Sequence, residues 1–369
     1  MMTNTYISDL AIHAGEFLEE TLEEIGMTQA ELANRLGRPL QAINEIIKGK
    51  KSITSTTALE LEDVLGIPSH IWIGLETEYQ IVIARQEELK QMEEESKFLK
   101  NFPYADLVKL GFVKATTKAV EKVDELKRFF SVAKLAQIPQ VKAYQPAFRV
   151  ANVDNISNEA IATWIQAVRL KAKDIQTDNF DKKKLKDNLP QIKSLMNIEI
   201  NEAIKEIQKI LNSCGIALVM LPHFKNTKVH GATFWLDNEK KAVIAMTLRG
   251  SYSDIFWFSF FHEIGHILSH PKREVFLENG YVDEKLKKQE DEADKFASET
   301  LINEKEYNKF LLKNDFSKDN IVNFAQKLEI KTSIIVGRLM HDKIIHFSDS
   351  KLLSLRDKYK WNKLDNRLQ

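Results

Sequence analysis

The chain has 369 residues, which predicts two or three domains at roughly 100–200 residues per domain. Hydrophobic residues make up 43% and charged residues 29%, which excludes a wholly disordered, collagen-like or coiled-coil chain. Lys+Arg and Asp+Glu both number 53, so any surface for a polyanion has to be local.

The one cysteine, Cys214, excludes an intramolecular disulfide and any CxxC motif, which fits a reducing cytoplasm. The first twenty residues are acidic and lack a long apolar run, so they do not read as a signal peptide. The greasiest stretch, Ile255 to Phe261, is too short to span a bilayer and runs straight into His262 and Glu263. No membrane partner is expected.

In chain order, residues up to about Gln80 read as short helices joined by tight turns. Thr28 and Glu31 make a T-x-x-E capping box that opens a helix with Leu32, Ala33 and Leu36 on its apolar face. Gly37 ends it, because glycine takes positive φ cheaply. Pro39 starts the next helix, where a missing N–H costs nothing. Ile43, Ile46 and Ile47 then face a core, and Gln41, Asn44, Glu45 and Lys48 point the other way. This is a helix-turn-helix pattern, with the second helix placed to enter a major groove. Gln41 and Asn44 are the candidates for adenine edges. Arg38, Lys48, Lys50 and Lys51, beside Arg35, are the candidates for phosphates. A further helix runs from Thr56 or Thr57 to Leu65 and stops at Gly66. The plainer alternative is a small bundle with a solvated basic turn. Against it, the first helix gathers Glu16, Glu19, Glu20, Glu23 and Glu24, while the bases concentrate between Arg35 and Lys51. That segregation favours a local binding surface.

Residues 84–101 are highly charged with few apolar positions and read as a solvated connecting helix. From about Phe102 to Ile175, helical runs alternate with extended pieces such as PAFRVANV. Thr177 to Asn188 is polar, a surface loop or helix start. A helix around Ile200 to Leu211 precedes three strands, IALVMLP, GATFWL and AVIAMTLR, the last two separated by a turn at Asp237–Asn238. A long apolar helix spans about Asp254 to Ser269 and is stopped by Pro271. The rest is mostly helical.

That apolar helix contains FFHEIGHILSH. His262 and His266 are one turn apart on one face, so both imidazoles can reach one ion. Glu263 is placed to act as general base on the attacking water and then pass the proton to a leaving amine. A catalytic zinc needs a third protein ligand. His270 is too far, about 12 Å along the axis from His262 at about 1.5 Å per residue. The metzincin pattern fails as well, since Ser269 and Lys272 stand where it needs Gly and His. Downstream, Glu290, Ala293, Asp294, Ala297 and Leu301 make one stripe of a second helix. Glu290 is the candidate third ligand and Asp294 the candidate acceptor of a ligand histidine's N–H. Glu292 is the runner-up ligand, and Asp291 reads as solvated. An H-E-x-x-H match can arise by chance, but two histidines and a glutamate in so apolar a helix would be costly without a partner. His223, His230, His341 and His346 lie in no such pattern. His230, just before GATFWL, could face the cleft, with a structural role at the strand end the expected one.

Two resemblances follow. The segments MTQAELANRLG, INEIIKGKKSIT, ALELEDVLGI and IWIGLETEYQ resemble the helix-turn-helix of HigA-type antitoxins, a branch of the XRE/Cro class. Pro39–Leu40 departs from the Ser-Arg pair common there, and Glu45 stands where a basic residue is usual. The segments GATFWL, DIFWFSFFHEIGHILSH and EDEADKFA resemble the ImmA/IrrE metallopeptidases, over roughly Ile200 to Ile302. NFPYADLVKLGFV, FFSV and FRVANV resemble the connector of fusions between the two. The resemblance implies a gluzincin-like site with two His and a Glu holding Zn2+, one ion per chain, and proteolysis of a regulatory protein.

The fold expected is therefore mainly α with a small β-sheet: a helix-turn-helix bundle at 1–82, a helical connector at 83–188, a zincin-like metallopeptidase at 189–310 and a helical region at 311–369. The function expected is a cytoplasmic regulator, dimeric on operator DNA, whose zinc endopeptidase cleaves a repressor, a partner or itself. The alternative is a HigA-like antitoxin and autorepressor, with a toxin partner, in which the peptidase fold is a non-catalytic sensor or scaffold. A weaker third is a constitutive peptidase whose head binds protein.

Overall fold

The computed structural model describes residues 12–148, 156–236, 239–270, 276–277 and 284–360, and the chain divides into two units, Met1–Lys97 and Phe98–Gln369. The expected turn at Asp237–Asn238, the helix stop at Pro271 and most of FRVANV lie outside the described residues. Among the described residues, no helix is long and apolar enough to cross a membrane.

Among the described residues the first unit is five helices: α1 (Ala14–Glu24), α2 (Gln29–Leu36), α3 (Leu40–Ile47), α4 (Ser55–Leu65) and α5 (Ser69–Glu95). Thr28 caps α2 as expected, its Oγ1 accepting the Glu31 N–H at 3.1 Å. Only half of the capping box forms, because the Glu31 carboxylate turns forward to Arg35, one turn along the helix. Gly37 and Gly66 close α2 and α4 at φ 63° and 73°, the left-handed conformation that a side chain would strain. Leu18, Leu32, Ile43, Ile46 and Trp72 pack into one core. The charged 84–101 stretch is not a helix of its own: α5 runs unbroken from Ser69 to Glu95, and a 3₁₀ turn follows at Ser96–Asn101.

The second unit opens with α6 (Tyr104–Lys109), α7 (Ala119–Phe130), α8 (Asn158–Asp174), α9 (Lys182–Ser194) and α10 (Ile200–Ser213). Asp181 caps α9, accepting the Lys184 N–H at 2.9 Å, so the polar run 177–188 is loop before Asp181 and helix after it. The expected extended piece begins instead as a 3₁₀ turn, Gln145–Phe148.

Strands β1 (Ile216–Met220), β2 (Gly231–Leu236) and β3 (Lys241–Met246) follow, then α11 (Ser253–Ser269), the two-residue β4 (Phe276–Leu277) and α12 (Glu284–Leu301). The sheet order is β1-β3-β2-β4, with β1 parallel to β3 and the other pairs antiparallel. Thr233 pairs with Ile244 across β2 and β3, so both side chains point to one face. That face carries Ile216, Leu218 and Ile244 into a shared core with Phe256, Phe260, Phe261 and Ile264 of α11. α11 is buried nearly all round, which is what a helix apolar on every side requires.

The chain ends in α13 (Glu304–Leu312), α14 (Lys318–Lys327), α15 (Thr332–His341) and α16 (Ser350–Leu353). The segment after α16 returns to the start of α11. Tyr252 bridges Lys358, Ser253 N donates to Asp357 O at 2.9 Å, and Tyr359 N donates to Ser251 O at 2.7 Å. Arg356 grips Asp254 with two hydrogen bonds, and its guanidinium lies 3.7 Å from the Tyr252 ring centre. The helix bearing the histidines is thus pinned at its N-terminal end by residues about a hundred positions later.

Candidate functional site

α11 and α12 lie side by side, and small residues set how close they come. A Cβ on Gly265 would meet the Ala293 Cα at 3.2 Å and Phe296 Cδ1 at 3.1 Å. Ala293 and Ala297 of the α12 stripe are fully buried. A bulkier residue at these positions would push the two helices, and the groups they carry, apart.

The close approach brings three sequence-predicted side chains together. His262 Nε2 and His266 Nε2 lie 2.9 Å apart. Glu290 presents Oε2 at 3.2 Å from His262 Nε2 and Oε1 at 3.5 Å from His266 Nε2. One donor atom from each of the three falls within 4.8 Å of the others. A tetrahedral ion with bonds of about 2.0–2.1 Å needs donors roughly 3.3 Å apart, so the cluster has the right size.

Its electronic state fits as well. Burial holds the His266 imidazole down to about 4, against the opposing pull of Glu290, so it is neutral near pH 7. Burial alone would push the Glu290 carboxyl up, but the adjoining imidazoles of His262 and His266 outweigh it and hold the carboxyl low, at about 2. A neutral imidazole and an ionised carboxylate are the forms that bind a metal. Glu290 Oε1 is buried and, among the described residues, has no hydrogen-bond donor in bonding geometry. Buried acceptor atoms converging in this way call for a cation.

Asp294 lies where the stripe puts it, with Oδ1 2.8 Å from His262 Nδ1. Accepting that N–H leaves the His262 Nε2 lone pair facing the cluster. Glu292 is not brought to the cluster. It meets His270, Oε2 to Nε2 at 3.1 Å, and the other ring nitrogen of His270 lies 2.9 Å from His266 Nδ1. Asp291 is exposed. His270 stands off the cluster, on the Nδ1 side of His266, and is part of the hydrogen-bonded framework, a position that spacing along the helix did not reveal.

Glu263 is buried beneath β2. Its Oε2 accepts the Thr233 hydroxyl at 2.5 Å. A Cβ at Gly231 would stand 2.5 Å from Glu263 Oε1, so only glycine leaves room there. Thr233 and Gly231 are the residues that reading the motif alone missed. The signal was present in GATFWL, where positions two apart share a face. His230 is half-buried at the strand end, its carbonyl accepting the Thr247 N–H at 2.9 Å. Burial first, then the charges of Arg249 and His223, lowers its imidazole to about 4.

In the first unit, Gln41, Lys48, Lys50 and Lys51 are exposed and Asn44 is half-buried along α3 and the turn after it. Two of the expected base and phosphate contacts are already engaged within the fold. Arg38 Nε donates to Glu60 Oε2 at 2.6 Å, and Gln41 Nε2 donates to Glu45 Oε1 at 2.9 Å. Leu40, not singled out from the pattern, is 44% exposed at the start of α3.

A family model described as helix-turn-helix matches residues 18–72, and one described as an IrrE N-terminal-like domain matches residues 219–340. The chain is 37% identical over 78 residues to Virulence-associated protein I of Dichelobacter nodosus, covering 21% of this chain and 72% of that protein. Among solved structures, an addiction module antidote protein of the HigA family from Coxiella burnetii is 34% identical, covers 23% of this chain and 92% of its own, and has a TM-score of 0.20. The antitoxin HigA of Pseudomonas aeruginosa, solved with the higBA promoter, is 29% identical, with 23% and 94% covered and a TM-score of 0.22. The chain belongs to the helix-turn-helix family through its first unit and carries an IrrE N-terminal-like domain in its second.

Proposed function

We propose that the chain is a DNA-binding regulator whose second unit is a zinc-dependent endopeptidase acting on a regulatory protein. The observation that carries this reading is the meeting of His262, His266 and Glu290 at ligand spacing with Glu263 on the same helix, its carboxylate held by Thr233. His262, His266 and Glu290 would hold one Zn2+, and Asp294 would orient His262. Zinc, when bound, supplies polarisation of the scissile carbonyl and activation of water at neutral pH. Glu263 takes the proton of the attacking water and returns it to the leaving amine. Thr233 holds one oxygen of that carboxylate, so its direction is set before the substrate arrives. The apolar packing of α11 keeps bulk water from the helix side of the site.

On the first unit, α3 enters the major groove of operator DNA. Asn44 reads base edges, Lys48, Lys50 and Lys51 contact phosphates, and exposed Leu40 packs on a thymine methyl. Gln41 and Arg38 join only by exchanging their intradomain carboxylate partners for DNA. Two copies bind paired half-sites as a homodimer in the cytoplasm. A repressor, a toxin or a second copy of this chain is the protein partner.

The test is metal analysis of the wild type beside Glu290→Ala, with repression and cleavage of the partner followed in Glu263→Gln. One zinc per chain, lost in Glu290→Ala, and normal repression without cleavage in Glu263→Gln are expected. No stoichiometric zinc in the wild type would end the enzymatic reading. Unchanged cleavage in Glu263→Gln would remove Glu263 from the mechanism. Zinc without any cleavage in the wild type would leave a scaffold that only represses.

A further inference from the structure

Helices α11, α12 and α15 do not close fully on one another, and the cavity left between them measures about 170 Å3. It continues the seam that carries the histidine cluster. Phe258 stands one turn before His262 on α11, Ser298 stands one turn after Asp294 on α12, and both line it. The body of the cavity is apolar: Ile255 and Phe258 from α11, Leu301 and Ile302 from α12, and Ile334 from α15. A cavity of about 150 Å3 with such a lining stays dry and binds benzene. An occupant that fits restores the dispersion contacts that these side chains forgo across an empty space.

The polar groups of the wall decide what that occupant is. Each ionisable group on it is already engaged within the chain. Asp254 is held by Arg356, Arg338 Nε donates to Asp342 Oδ2 at 2.8 Å, and His341 Nδ1 lies 2.9 Å from Asp342 Oδ1. An ionic ligand would shed its water there without meeting an unmatched charge. Ser298 differs: it is half-buried, and its hydroxyl makes no hydrogen bond within the chain. It can donate to, or accept from, one polar group of a ligand. We infer that the cavity is a binding site for a small uncharged molecule with an apolar ring and one hydrogen-bonding group, about the size of phenol. The inference stands apart from the metal reading, because no candidate zinc ligand lines the cavity. Its place in the fold gives it a consequence all the same. The Phe258 ring centre lies 6.4 Å from that of His262, so an occupant touches the side chain against which a candidate ligand rests.

The experiment follows the Ile and Leu methyl NMR signals of the full chain, in the presence of a chelator, as phenol, toluene or benzoate is added. The proteins are wild type, Ser298→Ala and Ser298→Phe. In the wild type, phenol is expected to saturate with a Kd on the order of 1 mM, well inside the ceiling for so small a ligand. It should shift the methyls of Ile255, Leu301, Ile302 and Ile334 above all others. Toluene should shift the same methyls, and benzoate should not. Ser298→Ala should weaken phenol by about 2–10-fold and leave toluene within about twofold. Ser298→Phe fills the cavity and should abolish both. If that variant fails to fold, the comparison of phenol with toluene in Ser298→Ala still decides. Four methyls that respond to neither phenol nor toluene, or no more than those elsewhere in the chain, would overturn the inference. So would benzoate binding as tightly as phenol, or phenol binding unchanged in the serine variants. Because the readout uses metal-free protein, a chain that binds no zinc would end the metal reading and leave this test intact.

Discussion

The pin between Asp254 and Arg356 offers the most direct test of how the second unit holds its candidate site. Arg356 Nε and Nη2 donate to Asp254 at 3.0 and 2.6 Å. The two side chains are only 8% and 10% exposed. Burial pushes the Asp254 carboxyl up, and Arg356 reverses this only in part. The pair is therefore no strong net stabiliser, yet breaking it strands a buried charge. Arg356→Met should cost about 3–5 kcal/mol on that ground. Asp254→Asn should cost less, because Arg356 keeps its contact with the Tyr252 ring. The double variant should recover at least about 1–2 kcal/mol of the summed losses, since neither charge is then alone. The Arg356→Met penalty should shrink as pH falls. There Asp254 has a raised folded pKa, so it binds its proton earlier in the folded chain than in the unfolded one, and acid favours the folded state. Equilibrium urea unfolding of the four proteins gives the cycle, with the transitions of the two units followed separately. The second unit should shift and the first should not. Single losses that add within about 0.5 kcal/mol, or an Arg356→Met variant as stable as wild type, would refute the reasoning.

Gly231→Ala puts a methyl 2.5 Å from Glu263 Oε1, and a buried carboxylate has to move about 1 Å to relieve it. Zinc content should be unchanged while cleavage falls by about 10²-fold; equal cleavage would show that the carboxylate's placement is not critical. His230, lowered to about 4 from 6.5, binds its proton in the unfolded chain first, so stability is present above about pH 6.5 and is lost as pH falls toward 4, by up to about 3 kcal/mol. His230→Gln should flatten that decline in acid unfolding curves, and an identical profile would count against it. Lys48→Ala should weaken operator binding about equally across sequences and lower the salt slope by about one counterion, measured by fluorescence anisotropy at several salt concentrations. Glu60→Gln releases Arg38 and should raise that slope by a similar amount; no change would mean that Arg38 stays off the DNA.

Local rules carried much of this protein. Thr28, Gly37, Gly66 and Asp181 mark helix ends because caps and left-handed stops depend on a few neighbouring atoms. The period of Ile43, Ile46 and Ile47 announced a buried face, and the run around His262 announced a buried helix. Spacing alone put His262 and His266 on one face and Glu290 and Asp294 on another stripe. What spacing could not supply is which surfaces meet. That α12 packs against α11 through Gly265 and Ala293, that Thr233 comes to Glu263 from a strand, and that Arg356 closes on Asp254 from the far end of the chain are all long-range contacts. They depend on packing among elements far apart in sequence, which no local pattern encodes. The same holds for Arg38 and Gln41, legible as basic and polar groups beside a groove-reading helix but claimed by Glu60 and Glu45 once the helices come together. The residues able to do chemistry could be read from the order of the chain; which of them touch, and which are already spoken for, was decided only where distant helices and strands came within a few ångströms of each other.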